Sequence, residues 1–113
     1  MGGITTHVLD TARGRPAAGL LVTLEIREGN GRWTVIDRGA TDSDGRLKTL
    51  MADTELQTGT YRLTFHTDVY FRQNGNEAFF PEASIVFEVH DALQHYHVPL
   101  LLSPYGYTTY RGS

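Results

Sequence analysis

Apolar and polar residues alternate with a period of two along most of this chain. In residues 20–28, Val22, Leu24 and Ile26 alternate with Thr23, Glu25 and Arg27, the signature of a strand with one buried face. Residues 60–67 repeat the pattern, with Tyr61, Leu63 and Phe65 set against Arg62, Thr64 and His66. Runs rich in Thr, Val, Ile, Tyr and Phe predict further strands over 4–9, 33–41, 83–89, 95–102 and 105–110. Turn residues separate them. Arg13-Gly14-Arg15-Pro16 ends the first strand, and Gly29-Asn30-Gly31 supplies positive-φ residues for a hairpin. Asp42-Ser43-Asp44-Gly45 forms a second turn with Arg46 directly after it, and Ser103-Pro104 breaks the chain before the last strand. One helix is predicted, over 69–74, with Thr67 or Asp68 capping its start and Gly75 ending it. About two turns of helix cannot stand alone, so it must lie against the sheets. Short strands at this spacing predict an all-β sandwich or barrel. No internal repeat or linker interrupts them, so residues 1–113 are expected to form a single domain.

Composition narrows the classes. A chain of 113 residues buries roughly 65% of its unfolded surface, enough for one core. Hydrophobic residues make up 40%, which argues against disorder. There is no cysteine, so disulfides, thiolate metal sites and a thiol nucleophile are excluded. A net charge of −3 supplies no basic patch, and nucleic acid is not an expected partner. The opening MGGITTHVLD has no charged segment followed by an apolar run, so no secretory signal is expected. The longest apolar stretches are too short to cross a bilayer. A cytoplasmic chain, complete from Met1 and without a membrane partner, is the expectation.

The candidate chemistry centres on five histidines: His7, His66, His90, His95 and His97. Periodicity puts His95 and His97 on one strand face with Pro99, while Tyr96, Val98 and Leu100 take the other. Two imidazoles and a proline make a poor core face. A structural or merely exposed role is the bland alternative. Two functional readings compete with it. His-x-His can ligate zinc with a third ligand such as His7, or one imidazole can act as a general base tuned by a nearby cation. Composition does not separate them. Arg46 is either a solvated turn residue or a planar donor for a carbonyl or developing oxyanion. The tail Tyr110-Arg111-Gly112-Ser113 follows Tyr105 and Tyr107, an unusually aromatic approach to a terminus. Ser113 puts a hydroxyl and a carboxylate in one place.

Four ordered motifs carry a resemblance. Thr6-His7-Val8-Leu9-Asp10-Thr11 with Gly14-Arg15-Pro16-Ala17 resembles the opening signature of the transthyretin-like 5-hydroxyisourate hydrolases. Ser43-Asp44-Gly45-Arg46 is similar to their central motif, and the stretch from His95 to Pro104 to their late one. Tyr110-Arg111-Gly112-Ser113 resembles the terminal tetrapeptide that separates the hydrolases from transthyretin itself. The likeness runs from about Ile4 to Ser113.

It implies a transthyretin-like β-sandwich of seven or eight strands with one short helix. It also implies a homotetramer, a dimer of dimers, with active sites in a channel between dimers. The implied reaction is hydrolysis of 5-hydroxyisourate to 2-oxo-4-hydroxy-4-carboxy-5-ureidoimidazoline in urate degradation, with no metal and no cofactor. By motif position, His7, Arg46, His97 and Ser113 would be catalytic, and Tyr110 and Arg111 would join them in binding substrate; His95 sits in the motif without a firm role. The implied chemistry is attack by water, with His97 or His7 as base and Arg46 on the oxyanion; Ser113 positions rather than attacks. Two rival readings remain open: a transthyretin-like carrier of small ligands without catalysis, and a zinc-dependent hydrolase using His7, His95 and His97.

Overall fold

The structure, a computed structural model, describes residues 2–52 and 54–113; Met1, where the expected domain opens, lies outside the described residues. Nine strands and one helix follow in chain order among these residues. They are β1 (Gly3–Asp10), β2 (Arg15–Pro16), β3 (Leu21–Arg27), β4 (Trp33–Ala40), β5 (Arg46–Leu47), β6 (Gly59–Phe65), α1 (Thr67–Gln73), β7 (Ala83–Val89), β8 (His95–Ser103) and β9 (Gly106–Thr109). The seven longer strands are those expected from the alternation. The two-residue β2 and β5 lie where the sequence reads as turns.

The strands form two sheets. One has the order β4-β3-β6-β7, antiparallel throughout. The other runs β2-β1-β8-β9, with β5 also paired to β1. β1 and β8 are parallel, in register from Gly3–His95 to Asp10–Leu102. A parallel pair needs a long crossover, and here all four strands of the β4-β3-β6-β7 sheet lie between the two in sequence. β2 and β5 pair with β1 at different levels of its length, β2 at Leu9 and Asp10, β5 at Thr6 and His7. β1 is thus an interior strand.

The core lies between the sheets. β1 alternates along its length, with Ile4, Thr6, Val8 and Asp10 buried and the residues between them only partly so. Leu100 and Leu102 of β8 face inward with them, against Leu24, Leu63 and Phe65 of the other sheet. Burying such a side chain stabilises by about 1.5–3 kcal/mol, which fixes the register, because a one-residue slip would turn the core residues outward.

Two local expectations are corrected. The helix cap is neither Thr67 nor Asp68: the helix begins at Thr67, with His66 at the cap position and no side-chain cap bond. The Thr67 hydroxyl donates instead to the Phe80 carbonyl at 2.6 Å, tying the helix start to the loop that leads into β7. Asp68 sits in the first turn, where negative charge suits the helix end. The other end is as expected, with Gly75 at φ +77°. In the β3–β4 hairpin only Gly31 of the Gly29-Asn30-Gly31 run has positive φ, +85°. A three-residue loop closing between Glu28 and Arg32 needs just one such residue, and Asn30 serves by accepting the Arg32 N–H at 2.9 Å.

Among the described residues, no helix is long and apolar enough to cross a membrane.

Candidate active site

Thr5 and His7 lie two apart on the outward face of β1, between Gly3 and Leu9. Their neighbours are set by pairing. Across one edge His7 stands opposite Arg46 of β5. Across the other, Thr5 stands opposite His97 of β8, and Gly3 opposite His95. Adjacent strands lie about 4.8 Å apart, so Arg46, His7 and His97 share a small area on the outer face of one sheet. Forty and fifty residues of chain separate them in sequence, roughly; the parallel β1–β8 pairing and the β5 stub bring them together.

Arg46 is presented by a built turn. The Asp42 carboxylate accepts the backbone N–H groups of Asp44 and Arg46, both at 2.9 Å. These bonds, led by that from Arg46 and aided by the nearby Lys48 and Arg46 charges, hold its pKa below the ordinary carboxylate range against a desolvation effect that raises it. Gly45 has φ +75° and sits so close to the Val8 carbonyl that a Cβ there would overlap it. Its own carbonyl accepts the Val8 N–H at 2.8 Å, which seats the turn on β1 beside His7.

His7 donates from Nε2 to the Asp44 carbonyl at 2.9 Å. A carbonyl can only accept, so the proton is on Nε2 and a neutral His7 keeps its lone pair on Nδ1. Thr5 Oγ1 lies 2.8 Å from Nδ1 of His97 and 2.8 Å from Nε2 of His95. His97 is half-buried and His95 exposed. Burial pushes the His97 pKa below 6.5, the positive charges of Arg46, His95 and His7 push it the same way, and a backbone hydrogen bond at Thr5 opposes them. Each influence but the last favours a neutral imidazole near pH 7.

The tail reaches this face. β9 pairs with Leu100–Ser103 of β8, and beyond it Gly112 bridges to His97, donating its N–H to the His97 carbonyl at 2.8 Å. Ser113 follows, exposed. Arg111 points elsewhere. Its guanidinium lies 4.6 Å over the ring of Tyr96 and donates to Gln94 Oε1 at 3.1 Å, and Tyr96 occupies the buried face opposite the histidines. Tyr110 is largely exposed. Of the residues expected from the sequence, then, His7, Arg46 and His97 converge, His95 joins through Thr5, Ser113 follows the Gly112 bridge, and Arg111 stacks on Tyr96. Thr5, Asp42 and Gly112 were not singled out by sequence. Only Thr5 carried a signal, the period-two spacing from His7.

Among the described residues, no three of His, Cys, Asp and Glu are grouped to hold a metal ion, so His7, His95 and His97 form no zinc ligand set within one chain. A groove of about 860 Å³ lies on the outer face of the other sheet among Thr23, Arg38, Arg62, Thr64 and His66. It exceeds the pocket of about 230 Å³ that includes His97, but Arg62 there is already paired with Glu25 at 2.8 Å, and no imidazole pair faces a cation. Chemistry rather than volume singles out the histidine face. It can hold a neutral base, a second imidazole and a guanidinium around one small polar molecule.

Comparison with known proteins places the fold in a family. A 5-hydroxyisourate hydrolase 2 from Rhizobium meliloti is 52% identical over 117 residues, 99% of this chain and 97% of its own. The structure of Klebsiella pneumoniae 5-hydroxyisourate hydrolase superposes with a TM-score of 0.86 at 38% identity, covering all of both chains. Sea bream transthyretin in complex with thyroxine superposes with a TM-score of 0.91 at 33% identity, covering 96% of this chain and 93% of that one. The match to the HIUase/Transthyretin family spans residues 4–112, every strand of both sheets and the turn that carries Arg46, and this chain belongs to that family.

Proposed function

We propose that the chain hydrolyses 5-hydroxyisourate, opening its six-membered ring to give 2-oxo-4-hydroxy-4-carboxy-5-ureidoimidazoline in urate degradation. Full-length relatives named 5-hydroxyisourate hydrolase at 45–52% identity support the activity. The observation that carries it on this chain is the meeting of His7, Arg46 and His97 on one sheet face. The fold is shared with transthyretin and does not by itself choose between catalysis and ligand carriage. A carrier has no need of a guanidinium beside imidazoles with free lone pairs.

In this reading a water molecule attacks the ring carbonyl carbon. Neutral His97 takes its proton on Nε2, the nitrogen left free by Thr5. His7, with Nδ1 free, orients the water or assists at the leaving nitrogen. Arg46 stabilises the oxyanion. General base catalysis is worth typically about 10²–10⁴-fold and one oxyanion donor about 10²–10³-fold, together enough for this hydrolysis with no metal or cofactor. Ser113, with Tyr110 beside it, positions the polar ring by hydrogen bonds. Arg111 acts indirectly, anchoring the tail on Tyr96.

The outer face of a sheet is open on one side, so excluding bulk water from it takes a second surface. A homotetramer built as a dimer of dimers supplies one, each histidine face closed by a symmetry mate. Sedimentation of the purified protein as a monomer would remove that element. The activity itself is tested by ultraviolet decay of freshly generated 5-hydroxyisourate with and without the protein. Decay no faster than the spontaneous rate defeats the reading.

A further inference from the structure

Thr5 does more than leave Nε2 of His97 free. Its single hydroxyl touches two imidazoles at once, Nδ1 of His97 and Nε2 of His95, each at 2.8 Å. A hydroxyl has one proton to give. It can donate to one ring only, and the other ring must donate to it if both contacts are hydrogen bonds. The two tautomers are therefore linked through one oxygen. If Thr5 donated to His97, that ring would carry its proton on Nε2 and could not begin as a base.

We propose that Thr5 is a positioning residue for the hydrolysis: it accepts from Nδ1–H of His97, donates to Nε2 of His95, and relays a proton between the two rings. This rests on the function proposed above. In the resting state His97 presents a bare Nε2 to the water. As the water oxygen bonds to the carbonyl carbon, its proton passes to His97 Nε2. The Nδ1 proton of His97 passes to Thr5 Oγ1, and the Thr5 proton to Nε2 of His95. His97 is then neutral, with its proton on Nε2, ready for the leaving nitrogen. As that proton leaves for the nitrogen, the relay runs backward in the same step: His95 returns its Nε2 proton to Thr5, and Thr5 returns its own to Nδ1 of His97, so the ring stays neutral. The charge waits on His95, which is exposed, rather than on His97.

The placement has a physical reason. His97 faces the Arg46 cation of β5 and His7 of β1, with His95 on its own strand and Ser113 one residue beyond the Gly112 bridge. A lasting imidazolium at His97 would sit among positive neighbours and partly out of water, both unfavourable. Moving the charge outward by one hydroxyl relieves this. The β1–β8 register aligns the groups, since Thr5 is the direct partner of His97 and His95 lies one outward position before it.

The test combines kinetics with a direct reading of tautomers in the full-length protein. Long-range ¹H–¹⁵N correlation at neutral pH should find His97 protonated on Nδ1 and bare on Nε2. The opposite tautomer overturns the proposal, and this reading stands even if 5-hydroxyisourate proves not to be the substrate. With that substrate, Thr5→Val should lower kcat about tenfold or more with KM within about twofold, and Thr5→Ser should recover most of the loss. His95→Gln should match Thr5→Val, and the double variant should be no worse than either. Turnover of a folded Thr5→Val equal to wild type within twofold would defeat the relay, as would losses that multiply in the double variant. If Thr5→Val fails to fold, His95→Gln decides alone: wild-type kcat there also defeats it.

Discussion

Gly112 donates its backbone N–H to the His97 carbonyl at 2.8 Å, and a Cβ on Gly112 would come within 2.6 Å of the His97 ring carbon Cδ2. The tail is therefore seated against the imidazole, with no atom to spare between them. Gly112→Ala must shift either the ring or the last two residues. Because the tail is exposed, the shift should lower stability by no more than about 1 kcal/mol. Displacing the ring or Ser113 by even a fraction of an ångström should lower kcat/KM by about tenfold or more. Thermal melts and steady-state rates on the same sample check this; an unaltered rate would mean that the seating has no catalytic consequence.

Removing residues 110–113 should abolish turnover while the domain stays folded. The tail's ties are few: one backbone bond to His97, one Arg111–Gln94 bond, and Arg111 stacked on Tyr96. Exposed cation–π contacts are worth about 0.5–1 kcal/mol and a typical hydrogen bond about 0.5–1.5 kcal/mol. Their sum is small beside the roughly 5–15 kcal/mol that holds a domain of this kind. Circular dichroism with the ultraviolet assay separates the outcomes, and an unfolded truncation would make the tail chiefly structural.

His97→Asn should keep the fold and lower kcat by about 10² or more. Asparagine can keep a polar bond to Thr5 but cannot take a proton from water. His97 is only half-buried and lies outside the core cluster, so the melting temperature should barely change. A folded variant with near-normal turnover would remove His97 from the mechanism.

Much of this was legible in the sequence. The seven longer strands follow from period-two alternation, because burial on one face leaves that mark. The His95-x-His97 face was readable for the same reason. What alternation does not carry is which strand lies beside which. The parallel pairing that puts Thr5 next to His97 depends on the crossover of the whole second sheet, and no local pattern encodes it. β5 was hidden because two residues have no periodicity, although its Arg46 was marked by the turn before it. Arg111 lies two residues before Ser113, and no local pattern tells that its guanidinium stacks on the Tyr96 ring.

Acid should slow the reaction at a pH below that of an ordinary histidine. His97 titrates below 6.5, chiefly because of burial and then because of Arg46, so it stays neutral and basic until the pH has fallen past that value. Replacing Arg46 with methionine removes one of these causes and should move the acid limb of kcat/KM upward, besides lowering the plateau. Stability has its own sign. The unfolded chain takes up the His97 proton near 6.5 and the folded chain only at lower pH. The folded state therefore loses stability from this group as pH falls from 6.5 to the folded value, and gains none above it. A limb at or above 6.5 in the wild type would contradict the neutral-base role.

The buried end of β1 offers a test of stability apart from catalysis. The Asp10 carboxylate accepts the backbone N–H groups of Ala12 and Arg13 on Oδ1, both at 3.1 Å, and the Tyr70 hydroxyl on Oδ2 at 2.8 Å. That joins β1, the turn after it and the helix α1. The Tyr70 phenol is pushed up to about 12, first by burial and then by the Asp10 bond and charge, so it remains a donor across the working range. Tyr70→Phe keeps the ring and its edge contact with Phe71 and deletes only the donor. It leaves Oδ2 of an almost fully buried carboxylate without its partner, at a cost of about 1–3 kcal/mol. The urea midpoint should fall with an unchanged slope. Asp10 faces the core, opposite to the side that carries His7, so kcat should stay within about twofold. Loss of activity at unchanged stability would reverse both assignments, making this bond part of the active site's support rather than the fold's.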